Sequence, residues 1–215
     1  MKIYDISMLI EPEMMVYKDL PAKKPVFENV TNFTTSKHFE TKVHMDIHCG
    51  THIDMPLHMI ENGKTMDTFD FRRLMTPCCV YDLSYLKNPV ISASDIAHLP
   101  IKQGDFVIFK TKNSYHDTSL GFDIDFVYVN ESGAEFLANK KINGVGIDAL
   151  GIERAQPNHM THKTLLSDDI IILEGLRLSN IREGRYELVA LPIKLKGTEG
   201  AWVRAVLIDR DDVMI

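Results

Sequence analysis

The segment from Val43 to His58 alternates with a period of two. Even positions from 44 to 58 are His, Asp, Gly or Pro, and the odd ones are Val, Met, Ile, Cys, Thr, Ile, Met and Leu. An extended chain sends successive side chains to opposite faces, so all the polar groups would share one face. A helix would scatter them around its surface, and Gly50 and Pro56 both oppose one. The likeness of His48-x3-His52 to a helical HExxH zinc motif is therefore superficial, since the Glu is missing and the surroundings are strand-like.

Distances sharpen this reading. Residues i and i+2 on a strand lie about 6.6 Å apart on one face, so His52 and Asp54 are able to meet one cation. Fully extended, His48 and His52 would be about 13 Å apart, too far for two metal bonds of about 2.1 Å each. The chain must bend between them, and Gly50 is the residue that permits a tight turn there. Pro56 supplies the break between Asp54 and His58. Three ligands of the His/His/Asp type leave a position open for water, as catalytic metal sites do. The plain alternative is a half-buried polar strand whose histidines hydrogen-bond to neighbours. For a single His that alternative prevails. Four imidazoles or carboxylates between His48 and His58, with a Gly at the required bend, argue against it.

The rest of the chain sets bounds. With 24 Lys and Arg against 30 Asp and Glu, the net charge of −6 opposes a grip on nucleic acid. No uninterrupted aliphatic run exceeds Ile170 to Leu173, against the ~20 apolar residues of a membrane-spanning helix. Acids stand near the N-terminus where a signal peptide would be apolar, and no CxxC pair occurs. Cys49, Cys78 and Cys79 are therefore expected as reduced thiols in a cytoplasmic protein. Ile3 to Ser7 reads as a short strand and the Pro-containing stretch to Pro25 as an irregular loop. Val26–Phe33 and Phe39–Ile47 look like the arms of an antiparallel pair. Cys78–Leu83, Asp105–Thr111, Ile142–Ile147 and Ile170–Leu173 are further strand candidates. Tyr186–Leu195 and Ala201–Ile208 read as a hairpin. Asn130 is predicted to cap a helix beginning at Glu131. No repeat or linker interrupts the 215 residues. The expectation is a single α/β domain over 1–215, dominated by sheet.

His48-Cys49-Gly50-Thr51-His52-Ile53-Asp54-Met55-Pro56-Leu57-His58 resembles the HxGTHxDxPxH signature of the cyclase family of metal-dependent hydrolases, which includes bacterial kynurenine formamidases and isatin hydrolases. Asp5-Ile6-Ser7 and Val145-Gly146-Ile147-Asp148 look like two of its strands. His162-Lys163-Thr164-Leu165-Leu166 with Ile172-Leu173-Glu174-Gly175-Leu176 resembles its second motif, and Leu188–Ile193 with Val203–Val206 its closing hairpin. The resemblance implies a compact domain with a mixed, partly barrel-like sheet and few helices, of the swivelling β/β/α type, assembled as a homodimer or homotetramer.

It also implies one or two divalent ions per subunit, zinc or manganese being suited to such donors. His48, His52 and Asp54 would hold the first, and Asp54 would bridge to a second held by His162 and Glu174. His58 would be the general acid/base. A metal-activated water would attack a carbonyl, with His58 taking its proton and delivering it to the leaving nitrogen. The implied substrate is a small amide such as an N-formyl aryl amine. A cyclic amide, imide or lactone would use the same site, and a non-catalytic metal-binding protein is the reading from a different class. Kynurenine formamidases carry a Trp-Pro-Gly-Asp-like stretch after the first strand. Here Met14–Pro21 stands there without the Trp and Gly, leaving Tyr17 as the candidate substrate-binding ring. The odd position of Cys49 points it away from the ligands. His159 competes with His162 for the ligand role, and the family spacing to Glu174 favours His162. His38, His44, His98 and His116 are assigned no role in the site.

Overall fold

The computed structural model describes residues 1–210. In chain order its main elements are β1 (Lys2–Asp5), β2 (Val26–Thr31), β3 (Glu40–His44), β4 (His52–Asp54), β5 (Met75–Asp82) and β6 (Val90–Ile91). Then come α1 (Ala93–Ile96), β7 (Phe106–Lys110), β8 (Tyr128–Val129), α2 (Glu131–Asn139) and β9 (Gly144–Ile147). The chain continues through α3 (Met160–Ser167), β10 (Ile171–Glu174), β11 (Gly184–Pro192) and β12 (Gly200–Asp209). Strands β12, β11, β5, β7, β9, β10 and β4 are neighbours in that order, and β4 returns to β12, so seven strands close into a barrel. β1 pairs further along β12. The sheet is mixed: β5, β7, β9 and β10 run parallel, while β4, β11 and β12 pair antiparallel. This is the partly barrel-like sheet with few helices that the resemblance implied.

Alternation along the strands builds two cores. Phe106 and Ile108 of β7 turn into the barrel with Ile53, Leu173, Leu188 and Leu207. Val107 and Phe109 face the other way, toward Leu137 of α2 and Leu165 of α3. Each such side chain, fully buried, contributes about 1.5–3 kcal/mol. Gly144 of β9 makes room for this packing, since a Cβ there would stand 2.3 Å from the Phe106 ring.

The same alternation places the polar face. Ile53 points into the barrel, so its neighbours His52 and Asp54 point outward. On β10, Leu173 points inward while Ile172 packs on the helix side, and Glu174 follows Ile172 outward. Register then sets Glu174 opposite His52, and Asp54 opposite Ile172.

Several expectations need amendment. The alternating stretch from 43 to 58 is not one extended face: β3 ends at His44, and strand resumes only over His52–Asp54. The expected breaks are where the chain turns, with Gly50 at φ 70° and Pro56 opening a short turn that ends at His58. β2 and β3 do pair antiparallel, Phe27 opposite Val43, but nearly every residue of both strands is exposed. Asn130 caps α2 through its side chain, as predicted. α3 carries no comparable signal, because its N-cap, His159, makes no side-chain cap and no acid stands in its first turn. No helix among the described residues is long and apolar enough to cross a membrane.

Candidate metal centre

The turn before β4 is held from several sides. The Asp46 carboxylate accepts the backbone N–H of His48 at 2.8 Å and ion-pairs with Lys23 at 3.0 Å. Its carbonyl accepts the Trp202 indole N–H at 2.9 Å. Thr51 donates its hydroxyl to the carbonyl of Gly175 at 2.7 Å, linking the entry of β4 to the end of β10. The two backbones are so close that a Cβ on Gly175 would sit 2.3 Å from the Gly50 carbonyl oxygen. Bending at Gly50 returns His48 to Asp54, with Nδ1 3.0 Å from Oδ1. The bend inferred from the spacing is therefore what joins these residues.

Asp54 stands at the centre. His52 Nε2 lies 3.6 Å from its Oδ1 and 3.4 Å from Glu174 Oε2. From α3, His162 Nε2 lies 3.5 Å from both Asp54 Oδ2 and Glu174 Oε1. The His58 ring is 4.0 Å from that of His48 and 5.5 Å from that of His162. His48, Asp54 and His58 offer donor atoms within 4.8 Å of one another, and so do His52, Asp54 and Glu174. Asp54 belongs to both groups, the position a bridging carboxylate needs.

Whether these residues fit a cation is tested by their hydrogen bonds. His52 Nδ1 stands 2.9 Å from the Gly50 carbonyl, which can only accept, so Nδ1 carries a proton. In the neutral ring Nε2 is then a bare lone pair facing two carboxylates. Both Asp54 oxygens, His48 Nε2, His52 Nε2 and His162 Nδ1 are buried without an aligned hydrogen bond. Buried polar atoms are rarely left so, and acceptors converging on acceptors need a cation between them. The donor set fits a divalent metal ion.

Without metal, the imbalance falls on the protons. Burial lowers His52, but Glu174 and Asp54 outweigh it and carry the imidazole up to about 9. Burial and Asp54 raise Glu174, but His162 and His52 bring it down to about 2. Burial would raise Asp54 too, yet the surrounding imidazoles hold it well below the usual carboxylate range. The charged His52 imidazole stabilises the fold fully below its ordinary 6.5, and that contribution is lost as pH rises through about 9. The Glu174 carboxylate contributes stability above its ordinary 4.5 and loses it as pH falls toward about 2. The metal-free protein is therefore expected to lose thermal stability between pH 6.5 and about 9. A midpoint that stays flat across that window would show the cluster holds no such proton.

The centre opens on a cavity of about 220 Å³ whose wall includes His48, His58, His162 and Glu174. Tyr17 also lines it, its ring edge-on to Phe122 at 5.1 Å between centroids. The cluster thus brings together His48, His52, Asp54, His58, His162 and Glu174, with Tyr17 across the cavity. His159 lies apart from Asp54, its side chain 60% exposed, while that of His162 is 6% exposed. Cys49 is buried away from the donors, its thiol 3.5 Å from the Met14 sulfur, and burial pushes it up to about 11. His38 and His44 sit on the exposed hairpin.

Glu153 is a further acid in this wall, buried beside His162 and His159. Burial would raise its carboxyl, but His162 and His159 hold it below the usual range. No local pattern singles it out: Gly-Ile-Glu-Arg is ordinary loop sequence, and only the path of the chain into α3 reveals its neighbours.

A closed mixed sheet that presents buried imidazoles and carboxylates to a cavity has the build of a metal-dependent enzyme. The chain belongs to the cyclase family: the family described as "Putative cyclase" matches residues 4–154. The structure of a predicted metal-dependent hydrolase from Bacillus stearothermophilus is 50% identical, covering 97% of this chain and 98% of its own, with a TM-score of 0.88. The kynurenine formamidase of Salinibacter ruber (strain DSM 13855 / M31) is 30% identical across 99% of this chain and 100% of its own. Isatin hydrolase A from Labrenzia aggregata, 21% identical, has the same fold at a TM-score of 0.82, covering 96% of this chain and 93% of its own.

Proposed function

We propose that this protein is a metal-dependent hydrolase cleaving the C–N bond of a small amide, with an N-formyl aryl amine as the leading substrate class. The observation that carries the reading is the set of buried, unpaired donor atoms around Asp54 at the wall of the cavity. Similarity to the kynurenine formamidase of Salinibacter ruber supports the substrate class. His48, His52 and Asp54 would hold one ion, and Asp54, His162 and Glu174 a second, with zinc or manganese suited to these donors. When bound, such an ion polarises a carbonyl and lowers the pKa of water.

The residues do the rest. His58 lies in the cavity wall beside His48 and His162. Burial, with those two rings, keeps it below the ordinary imidazole value despite the opposing pull of Asp54. A neutral imidazole at neutral pH takes a proton from attacking water and returns it to the departing nitrogen. Tyr17, packed edge-on against Phe122, offers the cavity an aromatic surface for an aryl ring. The three buried free thiols fit a reducing, cytoplasmic setting.

Chelator-treated protein, reconstituted with zinc or manganese, is assayed on a panel of formamides, cyclic amides and lactones. Formamide cleavage that needs the metal supports the proposal. Preference for a ring substrate replaces the substrate class, and equal activity in the metal-free protein sinks the mechanism. In the same assay His58→Ala is expected to keep its metal while turnover falls by about 10²–10⁴-fold. Unchanged turnover would remove His58 from the chemistry.

A further inference from the structure

Both oxygens of Glu153 are directed at one residue. Oε2 accepts the backbone N–H of His162 at 3.2 Å, and Oε1 lies 3.4 Å from Nδ1 of the same residue's ring. Oε1 also meets His159 Nδ1 at 2.5 Å, while Gln156 Nε2 reaches Oε2 at 3.4 Å.

The backbone contact stands in for a missing cap. The first N–H groups of a helix have no partner within it, and a side chain at the N-cap usually supplies one. In α3 that residue is His159, held in the left-handed region at φ 54° and giving no side-chain cap. Glu153 caps the third helical residue from outside instead.

The ring contact biases the tautomer. Oε1 is not aligned for a hydrogen bond with Nδ1, but as an acceptor 3.4 Å away it favours the proton on that nitrogen, which leaves Nε2 of the neutral ring bare. That Nε2 is the atom 3.5 Å from both Asp54 Oδ2 and Glu174 Oε1. Metal-ligating histidines commonly give their second N–H to a carboxylate, which fixes the ring and raises its basicity.

We propose that Glu153 is a positioning residue of the metal centre, seating His162 by backbone and ring together so that Nε2 faces the cation. This rests on the metal reading given under Proposed function. His159, sharing Oε1, steadies the carboxylate from the exposed side.

The test compares wild type, Glu153→Gln and Glu153→Asp by three measurements. These are zinc affinity in competition with a chromophoric chelator, the visible spectrum of the cobalt-loaded protein, and the thermal midpoint of the metal-free protein. Glu153→Gln is expected to bind zinc about 10–100-fold more weakly, with shifted cobalt bands. Glu153→Asp keeps the charge on a shorter arm and is expected to fall between the two. A lowered metal-free midpoint with zinc affinity and cobalt bands at wild-type values would mark a purely structural Glu153 and overturn the assignment. Should the Gln variant not fold, the Asp variant decides: wild-type affinity and bands overturn the proposal, and weaker binding with altered bands supports it. Failure of the wild type to take up zinc or cobalt overturns the metal reading itself, and this inference with it.

Discussion

Asp54→Asn is expected to abolish metal uptake and hydrolysis together while leaving the chain folded. Asp54 is the residue common to both donor groups, and neither of its oxygens has an aligned hydrogen bond. Asn keeps the shape but removes the charge and puts an N–H₂ group where an oxygen faced the imidazoles. The fold should survive because the histidines can respond. With one counter-charge removed, His52 and His162 lose part of what raised them and give up their protons more readily instead of being stranded as buried cations. Catalysis has no such escape. A bound ion supplies several kcal/mol of transition-state stabilisation, and each ~1.4 kcal/mol is tenfold in rate, so turnover should fall by on the order of 10³-fold or more. Elemental analysis, turnover and a thermal scan on the one preparation check all three parts. A variant that retains wild-type metal content would take Asp54 out of the ligand set.

What made this centre legible is that its first half is local. His48, His52, Asp54 and His58 lie close in sequence, and the distance between His48 and His52 on an extended chain demands the bend that Gly50 makes. Ile53 in the barrel core confirms the alternation across β4. The second half is not local. His162 and Glu174 came from resemblance to a family motif, because their approach to Asp54 depends on β10 pairing with β4 and on α3 packing over both. A strand of three residues carries no signal of which strands, β10 and β12, it closes the barrel against. α3 was obscured for a related reason: the acid that caps it stands nine positions before His162 rather than at its N-cap.

Asp148 shows the same limit, and replacing it is expected to cost the most stability of any change considered. It follows β9 and is buried, with five donors converging on its carboxylate. Oδ2 accepts from the Thr111 N–H at 2.7 Å, the Ser114 N–H at 3.1 Å and the Ser114 hydroxyl at 2.6 Å. Oδ1 accepts from the Thr111 hydroxyl at 2.8 Å and from Asn113 Nδ2 at 3.3 Å. Those donors come from the turn after β7, which neighbours β9 in the barrel. Asn113 in turn holds Val127 through both its N–H and its carbonyl, and the Ser114 oxygen accepts the Leu178 N–H. One carboxylate thus pins three loops, including the one that carries Phe122 to Tyr17. Asp148→Ala leaves these donors buried and unpaired. Each would cost about 1–3 kcal/mol alone, and because the network relaxes together the expected loss is about 3–5 kcal/mol. Against a typical 5–15 kcal/mol, that brings the fold near its limit. Asp148→Asn keeps one acceptor oxygen but turns an N–H₂ group toward the remaining donors, so it should recover only part of the loss. Urea unfolding of both variants at unchanged slope measures this, and hydrogen exchange should show protection lost first across residues 111–127. A loss below about 1 kcal/mol for Asp148→Ala would mean that the loops hold one another without it.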